Sequence, residues 1–127
     1  MASLPAISAA EWDVMLVLWE TAPLMANEVV EKLAAKNRWS PRTVKTLLNR
    51  LINKGALRYE TKGNRYRYFP AVSRDECVRR ESRWFLSRVF GGAIGPMLAH
   101  FVSQTPLTKQ EIRELRKILQ RRERKGQ

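Results

Sequence analysis

The feature that most constrains this chain is a change of hydrophobic period at Gly55. Before it, Val44, Leu47, Leu48, Leu51 and Ile52 recur at helical spacing. After it, Leu57 to Thr61 and Arg65 to Phe69 alternate with period two and meet at Lys62-Gly63-Asn64, a hairpin signal. Tyr59, Tyr66 and Tyr68 favour strands, and Pro70 is expected to end the second one. Ser40 can cap the helix, with Pro41 at the first helical position, where a missing N–H costs nothing. Gly55 fits a left-handed cap at its end.

Two further helices precede this block. Ser8 and Glu11 have capping-box spacing, and Ile7 with Trp12 forms a hydrophobic staple. Trp12, Met15, Leu16 and Trp19 are then expected on one helical face, with Pro23 as the stop. The spacing predicts a second helix from about Asn27 to Lys36, burying Val29, Val30, Leu33 and Ala34, and a short turn over Asn37 to Ser40. Residues 8 to 70 thus read as three helices and a hairpin.

Downstream the chain is helical again. Ser73 and Glu76 make a second capping box, and Gly91-Gly92 breaks the helix that follows. A short helix is expected from about Pro96, with Leu98, Phe101 and Val102 on one side. Thr108 and Glu111 form a third capping box, Leu107 and Ile112 a second staple. Ile112, Leu115, Ile118 and Leu119 then share a face, and Gln120 to Gln127 reads as a charged, frayed tail.

Composition narrows the function. The 127 residues hold 24 Lys and Arg against 12 Asp and Glu, a net charge of +12. Such an excess attracts a polyanion, either nucleic acid or an anionic membrane surface. It is concentrated between Arg42 and Arg67, which includes eight basic residues and a single acid, Glu60. One Cys and one His supply neither an internal disulfide nor a His/Cys zinc site, so no metal and no cofactor is expected. No apolar run is long enough to span a bilayer, and Met1 to Leu18 lacks the basic start of a secretion signal. No membrane insertion and a cytoplasmic location are the expectations.

The helix before Gly55 turns Arg42, Lys45, Thr46, Asn49, Arg50 and Asn53 away from its apolar stripe. Short polar and basic side chains on an outer face, braced by a preceding helix and a tight turn, suit a helix entering the DNA major groove. Lys62, Arg65 and Arg67 on the hairpin could lie along adjacent phosphates. Acids are absent from Arg42 to Arg58, whereas a merely solvated face mixes signs. The expected fold is mostly α with a small β-hairpin: a winged helix-turn-helix domain over residues 1–71 and a C-terminal helical dimerisation segment over 72–127. The later helices are too few to enclose their own core, so Phe85, Val89, Phe90, Leu98, Phe101, Ile112, Leu115 and Leu119 are assigned to a homodimer interface. Arg74, Arg79, Arg80, Arg83 and Arg88 stay open between DNA, an acidic partner and an ordinary solvated face. The alternative for the whole chain is a non-enzymatic interaction module whose basic face meets an acidic partner. No catalytic set can be assembled: Glu11 and Asp13 do not share a helix face, His100 stands alone in an apolar stretch, and Cys77 reads as a small buried side chain.

The segments Ile7-Ser8-Ala9-Ala10-Glu11-Trp12-Asp13-Val14-Met15, Ala26-Asn27-Glu28-Val29-Val30 and Arg42-Thr43-Val44-Lys45-Thr46-Leu47-Leu48-Asn49-Arg50-Leu51 resemble the BlaI/MecI/CopY family of bacterial repressors. Phe90-Gly91-Gly92 and Glu111 to Leu119 are similar to the family's C-terminal half. The resemblance implies a dimeric winged-helix repressor on palindromic, double-stranded operator DNA. In the penicillinase-repressor branch the operators control β-lactamase or related antibiotic-resistance genes. Matching positions put Arg42, Thr43, Lys45, Thr46 and Arg50 at the DNA. By chemistry we assign base edges to Thr46 and Asn49, with Lys45 as a further candidate, and phosphates to Arg42, Thr43, Arg50, Lys62, Arg65 and Arg67. The resemblance also implies inactivation by a membrane-bound sensor protease that cuts an Asn-Phe bond. The matching pair here is His100-Phe101, a substitution on one side of that bond, and Gly95-Pro96 departs from the pattern too. The Cys-x-Cys pairs of the copper-responsive branch are absent.

Overall fold

The computed structural model describes residues 4–126, in two compact units, one ending at Glu81 and one beginning at Ser82. The expectation set the boundary at 71–72. It falls later because the first turns after Ser73 belong to the first unit: Cys77 is buried and the Arg80 guanidinium donates to the Leu4 carbonyl. Burial pushes the Cys77 thiol up, as suits a packed side chain rather than a reactive thiolate.

The first unit begins with α1 (Ala9–Glu20). The Ser8 side chain accepts from the Glu11 N–H, and the Glu11 carboxylate accepts from the Ser8 N–H at 2.9 Å, so the predicted box is complete. The buried stripe of α1 is Glu11, Val14, Met15 and Leu18. The predicted stripe of Trp12, Met15, Leu16 and Trp19 is rotated from it. The tryptophans sit at its margin, where they meet edge to face at 5.4 Å and the Trp19 Nε1–H donates to the Val72 carbonyl. A large ring with a donor prefers such a boundary, where its N–H finds a partner.

A two-residue strand, β1 (Leu24–Met25), leads directly into α2 (Ala26–Asn37). Val29 and Leu33 are buried and Val30 is partly buried, but Ala34, predicted in the stripe, is exposed. Asp13 of α1 accepts from Lys36 at 3.3 Å and from Asn37 at 3.0 Å, bracing the end of α2 before the turn. The turn passes through Arg38 at φ 54.

The third helix, α3 (Pro41–Asn53), closes with a Schellman arrangement: Gly55 N–H donates to Ile52 and Ala56 N–H to Leu51, with Gly55 at φ +82. Then β2 (Leu57–Lys62) and β3 (Arg65–Pro70) pair antiparallel from Leu57↔Pro70 to Lys62↔Arg65, with Pro70 as the last strand residue. β1 adds to β3 through Leu24↔Tyr68 and Met25↔Arg67, giving the order β1-β3-β2. The core of this unit joins Val14, Met15, Leu18, Val29, Leu33, Val44, Leu47, Leu48 and Leu51 to Leu24, Leu57 and Tyr68 of the sheet. This is the expected winged helix-turn-helix arrangement with one strand more than the sequence showed.

The helix α4 (Arg74–Phe90) starts with Ser73 accepting from the Glu76 N–H; the Glu76 carboxylate accepts from the Ser73 hydroxyl instead of its backbone, so only half of that box forms. Gly91 and Gly92, at φ +57 and +86, break the chain as predicted. The next helix, α5 (Ile94–Gln104), begins two residues before the expected Pro96. Pro96 lies in the first turn, where N–H groups have no intrahelical acceptor, so its ring is tolerated. Finally α6 (Lys109–Arg124) carries the predicted Thr108/Glu111 box and runs well into the segment expected to fray. Neither α5 nor α6 contains a buried residue.

Among the described residues Glu11 is the one buried charged side chain, 2% exposed. Its carboxylate accepts from Lys54 Nζ, which also donates to the Ala6 carbonyl at 2.9 Å. Burial alone would raise the Glu11 carboxyl. The Lys54 hydrogen bond and charge and the Ser8 N–H outweigh it and hold the group below its ordinary value. A lowered carboxylate contributes stability that is complete above the ordinary value of about 4.3 and lost as pH falls through the lower folded value. Glu11→Gln is therefore expected to cost about 1–3 kcal/mol at pH 7. The gap between variant and wild-type urea midpoints should narrow below about pH 4; an equal gap at both pH values would contradict the ion-pair account. Gly55→Ala meets no steric neighbour, yet its positive φ should cost about 1 kcal/mol or more in the same denaturation assay.

Candidate nucleic-acid interface

The geometry of α3 follows from its two faces. Val44, Leu47, Leu48 and Leu51 are buried, so the opposite side is turned outward on a fixed backbone. Arg42, Thr43, Lys45, Thr46, Asn49 and Arg50 are all exposed there, and α3 carries no acid. Ser40 caps the helix through the Thr43 N–H at 3.2 Å, and its hydroxyl lies 3.1 Å from that of Thr43. The Thr46 hydroxyl donates to the Arg42 carbonyl at 3.0 Å, which leaves its lone pairs facing outward as acceptors.

Beside α3 stands the β2–β3 hairpin. Gly63, at φ +64, lets two residues connect the Lys62↔Arg65 pair. Strand alternation and register place Arg58, Glu60, Lys62, Arg65, Arg67 and Phe69 on one face and Tyr59, Tyr66 and Tyr68 on the other. The predicted cations Lys62 and Arg65 are exposed at the tip. Arg67 differs: it is partly buried, 3.8 Å from the Glu60 carboxylate, which also meets Arg58 at 3.5 Å. The lone acid of this stretch thus holds two of its arginines. Arg58 lies 4.2 Å over the Phe69 ring, a cation–π contact that orders its stem.

A cleft of about 440 Å³ separates the start of α2 from α3 and the hairpin, and among the residues lining it are Asn27, Lys45, Asn64, Arg65 and Tyr66. Its lining contains no carboxylate. Two cations, two amides and a phenol converging on one groove favour an anionic occupant that offers acceptor oxygens. The sequence reading singled out Lys45 and Arg65 but missed Asn27, Asn64 and Tyr66 as contributors. Tyr59 and Tyr66 stack at 4.4 Å and remain nearly half exposed, 45% and 47%. Paired aromatics at the open end of a strand, beyond the core, were the available signal.

The remaining assigned residues lie in the second unit. Phe85, Phe90, His100 and Phe101 form a ring cluster, with Phe85 stacked on Phe101 at 6.0 Å and Phe90 6.2 Å from His100. Val89, Leu98, Ile112, Leu115 and Leu119 stay 39–57% exposed, as does Phe101 at 43%. Of the ambiguous arginines, Arg80 holds Leu4 and Arg88 lies 4.7 Å over the Trp84 ring, while Arg74, Arg79 and Arg83 are exposed. Among the described residues no single helix is long and apolar enough to cross a membrane.

Residues 7–121 match the family model described as penicillinase repressor. The penicillinase repressor of Bacillus licheniformis is 37% identical over 120 residues, which cover 94% of this chain and 94% of that protein. The methicillin resistance regulatory protein MecI of Staphylococcus aureus is 32% identical over 116 residues, 91% of this chain and 94% of the relative. The solution structure of the monomeric form of Bacillus licheniformis BlaI in complex with the blaP half-operator is 39% identical, covers 60% of this chain and 93% of its own, and superposes with a TM-score of 0.52. With a winged-helix unit, an acid-free basic helix and similarity over nearly its full length, this chain belongs to the penicillinase repressor family of DNA-binding transcriptional regulators and is not an enzyme.

Proposed function

We propose that this repressor acts in the cytoplasm as a homodimer on a palindromic operator, placing one α3 in each of two major-groove half-sites. The observation that carries the reading is the outer face of α3, where three cations and an amide (Arg42, Lys45, Arg50 and Asn49) stand exposed on a backbone locked by four buried aliphatics. In this reading Thr46, Asn49 and Lys45 reach base edges. Arg42, Thr43 and Arg50 hold phosphates. Lys62 and Arg65 take the neighbouring backbone, with Arg67 released from Glu60 as a phosphate approaches. The cleft beside Lys45 and Arg65 suits one phosphate group of the same strand.

Homodimerisation is supported by the apolar area that the second unit leaves in water. Leu98, Phe101, Ile112, Leu115 and Leu119 are each at least 39% exposed, and Leu115 and Leu119 share a helix face with Ile112. A second copy covers such faces symmetrically, and twofold protein symmetry matches twofold operator symmetry. The genes controlled are proposed to be β-lactamase or related resistance genes, by likeness to the penicillinase and methicillin-resistance repressors.

Release is proposed to follow the family pattern, a cut between His100 and Phe101 by a membrane sensor protease. His100 is exposed, and α5, with no residue buried within its own copy, can unwind locally to present an extended bond. The cut severs α6 from the rest of the copy. Two linked half-site contacts then become two independent ones, and affinity falls.

Three outcomes test this reading. Arg50→Ala should weaken binding to every duplex, whereas Asn49→Ala should mainly lower the preference of operator over scrambled DNA; equal effects of the two on both duplexes would contradict the role assignment. Leu115→Glu combined with Leu119→Glu should convert two copies to one in sedimentation. It should weaken operator binding by about 10²-fold while unit one stays folded. A variant that still sediments as a dimer would remove these helices from the interface.

A further inference from the structure

The outer side of α6 holds an arrangement that neither the dimer nor α3 accounts for. Lys109, Arg113, Lys117, Arg121 and Lys125 stand at strict four-residue intervals, and all five are exposed. At 1.5 Å per residue the row runs about 24 Å along the helix. Cations four residues apart on a helix repel and destabilise it by a few tenths of a kcal/mol per pair. Among the described residues none of the five is in an ion pair. The nearest acid on that side, Glu114, accepts instead from Gln110 at 3.1 Å, and Glu111 is taken by the Thr108 cap. From Lys109 to Lys125 there are eight Lys or Arg against three Glu.

A continuous line of uncompensated positive charge fits an equally continuous line of negative charge. Two such partners exist, a nucleic-acid backbone and an anionic membrane. At about 100° per residue, Ile112, Leu115 and Leu119 centre on the side opposite Lys117. The row winds by about 40° per step, so Arg113, Lys117 and Arg121 face away from the stripe while Lys109 and Lys125 flank it; a bilayer that took up the stripe would leave the middle of the row in water. A dimer that buries the stripe leaves the row outward.

We propose that the Lys109–Lys125 row is a second, sequence-independent binding surface for the phosphate backbone of duplex DNA. It rests on the proposed function only in that a second copy covers the apolar stripe. The row adds affinity for all DNA equally, so it raises residence on the chromosome without adding to operator choice. Each phosphate neutralised adds about 0.9 to the slope of log affinity against log salt.

The test replaces all five cations with Gln in the full chain, leaving the apolar stripe and the caps intact, with circular dichroism and sedimentation confirming an unchanged helix content and oligomeric state. Binding to an operator duplex and to a scrambled duplex of the same length is followed across a salt series. Scrambled-duplex affinity at low salt should fall by about 10-fold or more, and the salt slope should flatten by about 3 or more. The operator-to-scrambled ratio should hold or rise. Unchanged slopes on both duplexes would overturn the proposal. So would unchanged slopes with lost binding to phosphatidylglycerol vesicles, which would give the row to a membrane. If neither protein prefers the operator yet the slope still flattens, the row stands and the operator reading fails.

Discussion

Everything in the first unit depends on α3 having one face that must be dry and one that must not. Val44, Leu48 and Leu51 reach complete burial and Leu47 nearly so, against α1, α2 and the sheet. Truncating one such side chain typically costs 2–5 kcal/mol, a large share of what a small domain has. The helix therefore cannot rotate about its axis to relieve repulsion among Arg42, Lys45 and Arg50. Burial on one side holds the charge on the other, and the cap at Ser40 and the Schellman close at Gly55 fix where the presenting surface begins and ends. The Glu11–Lys54 pair anchors the far end of α3 to the start of α1, a half-buried contact made by the residue just past the helix.

The second unit is organised by the opposite condition. It has no buried residue in α5 or α6, and its ring cluster of Phe85, Phe90, His100 and Phe101 is its principal internal packing. Many of its apolar side chains stay exposed within one copy, and its charges are mostly positive. A chain built this way joins a unit stable by its own core to one whose helices α5 and α6 bury no residue within a single copy. Under the proposed dimer, loss of association would lower DNA affinity without unfolding the first unit, the physical effect the proposed cut would have.

Much of this was legible in the sequence because strong local signals carried it. Ser8, Ser40 and Thr108 cap the helices they were expected to cap, and Gly55, Gly63 and Gly91-Gly92 lie at positive φ at the predicted turns. What was missed was set by tertiary contacts. β1 is two residues long and exists only by pairing with β3, so no period could reveal it. Spacing groups the large α1 rings Trp12 and Trp19 with Met15 and Leu16, whereas the core takes Val14 and Leu18 and admits Glu11 through its partner Lys54. Ala34 was counted as buried on spacing alone. Lys62 and Arg65 stand exposed at the hairpin tip as their charge suggests, but Asn27, Asn64 and Tyr66 line the cleft from three separate elements, and Arg67 is turned to Glu60 by cross-strand register.

The account stands or falls on whether the α3 face reads sequence rather than charge alone. Fluorescence anisotropy of the unmodified protein on the palindromic duplex upstream of its own gene, against a scrambled duplex at physiological salt, measures this directly. The account predicts a preference of about 10³ or more for the palindrome, with two copies bound. Equal affinity for both duplexes would show a basic surface that sees only phosphate, and would contradict the assignment of Thr46, Asn49 and Lys45 to base edges.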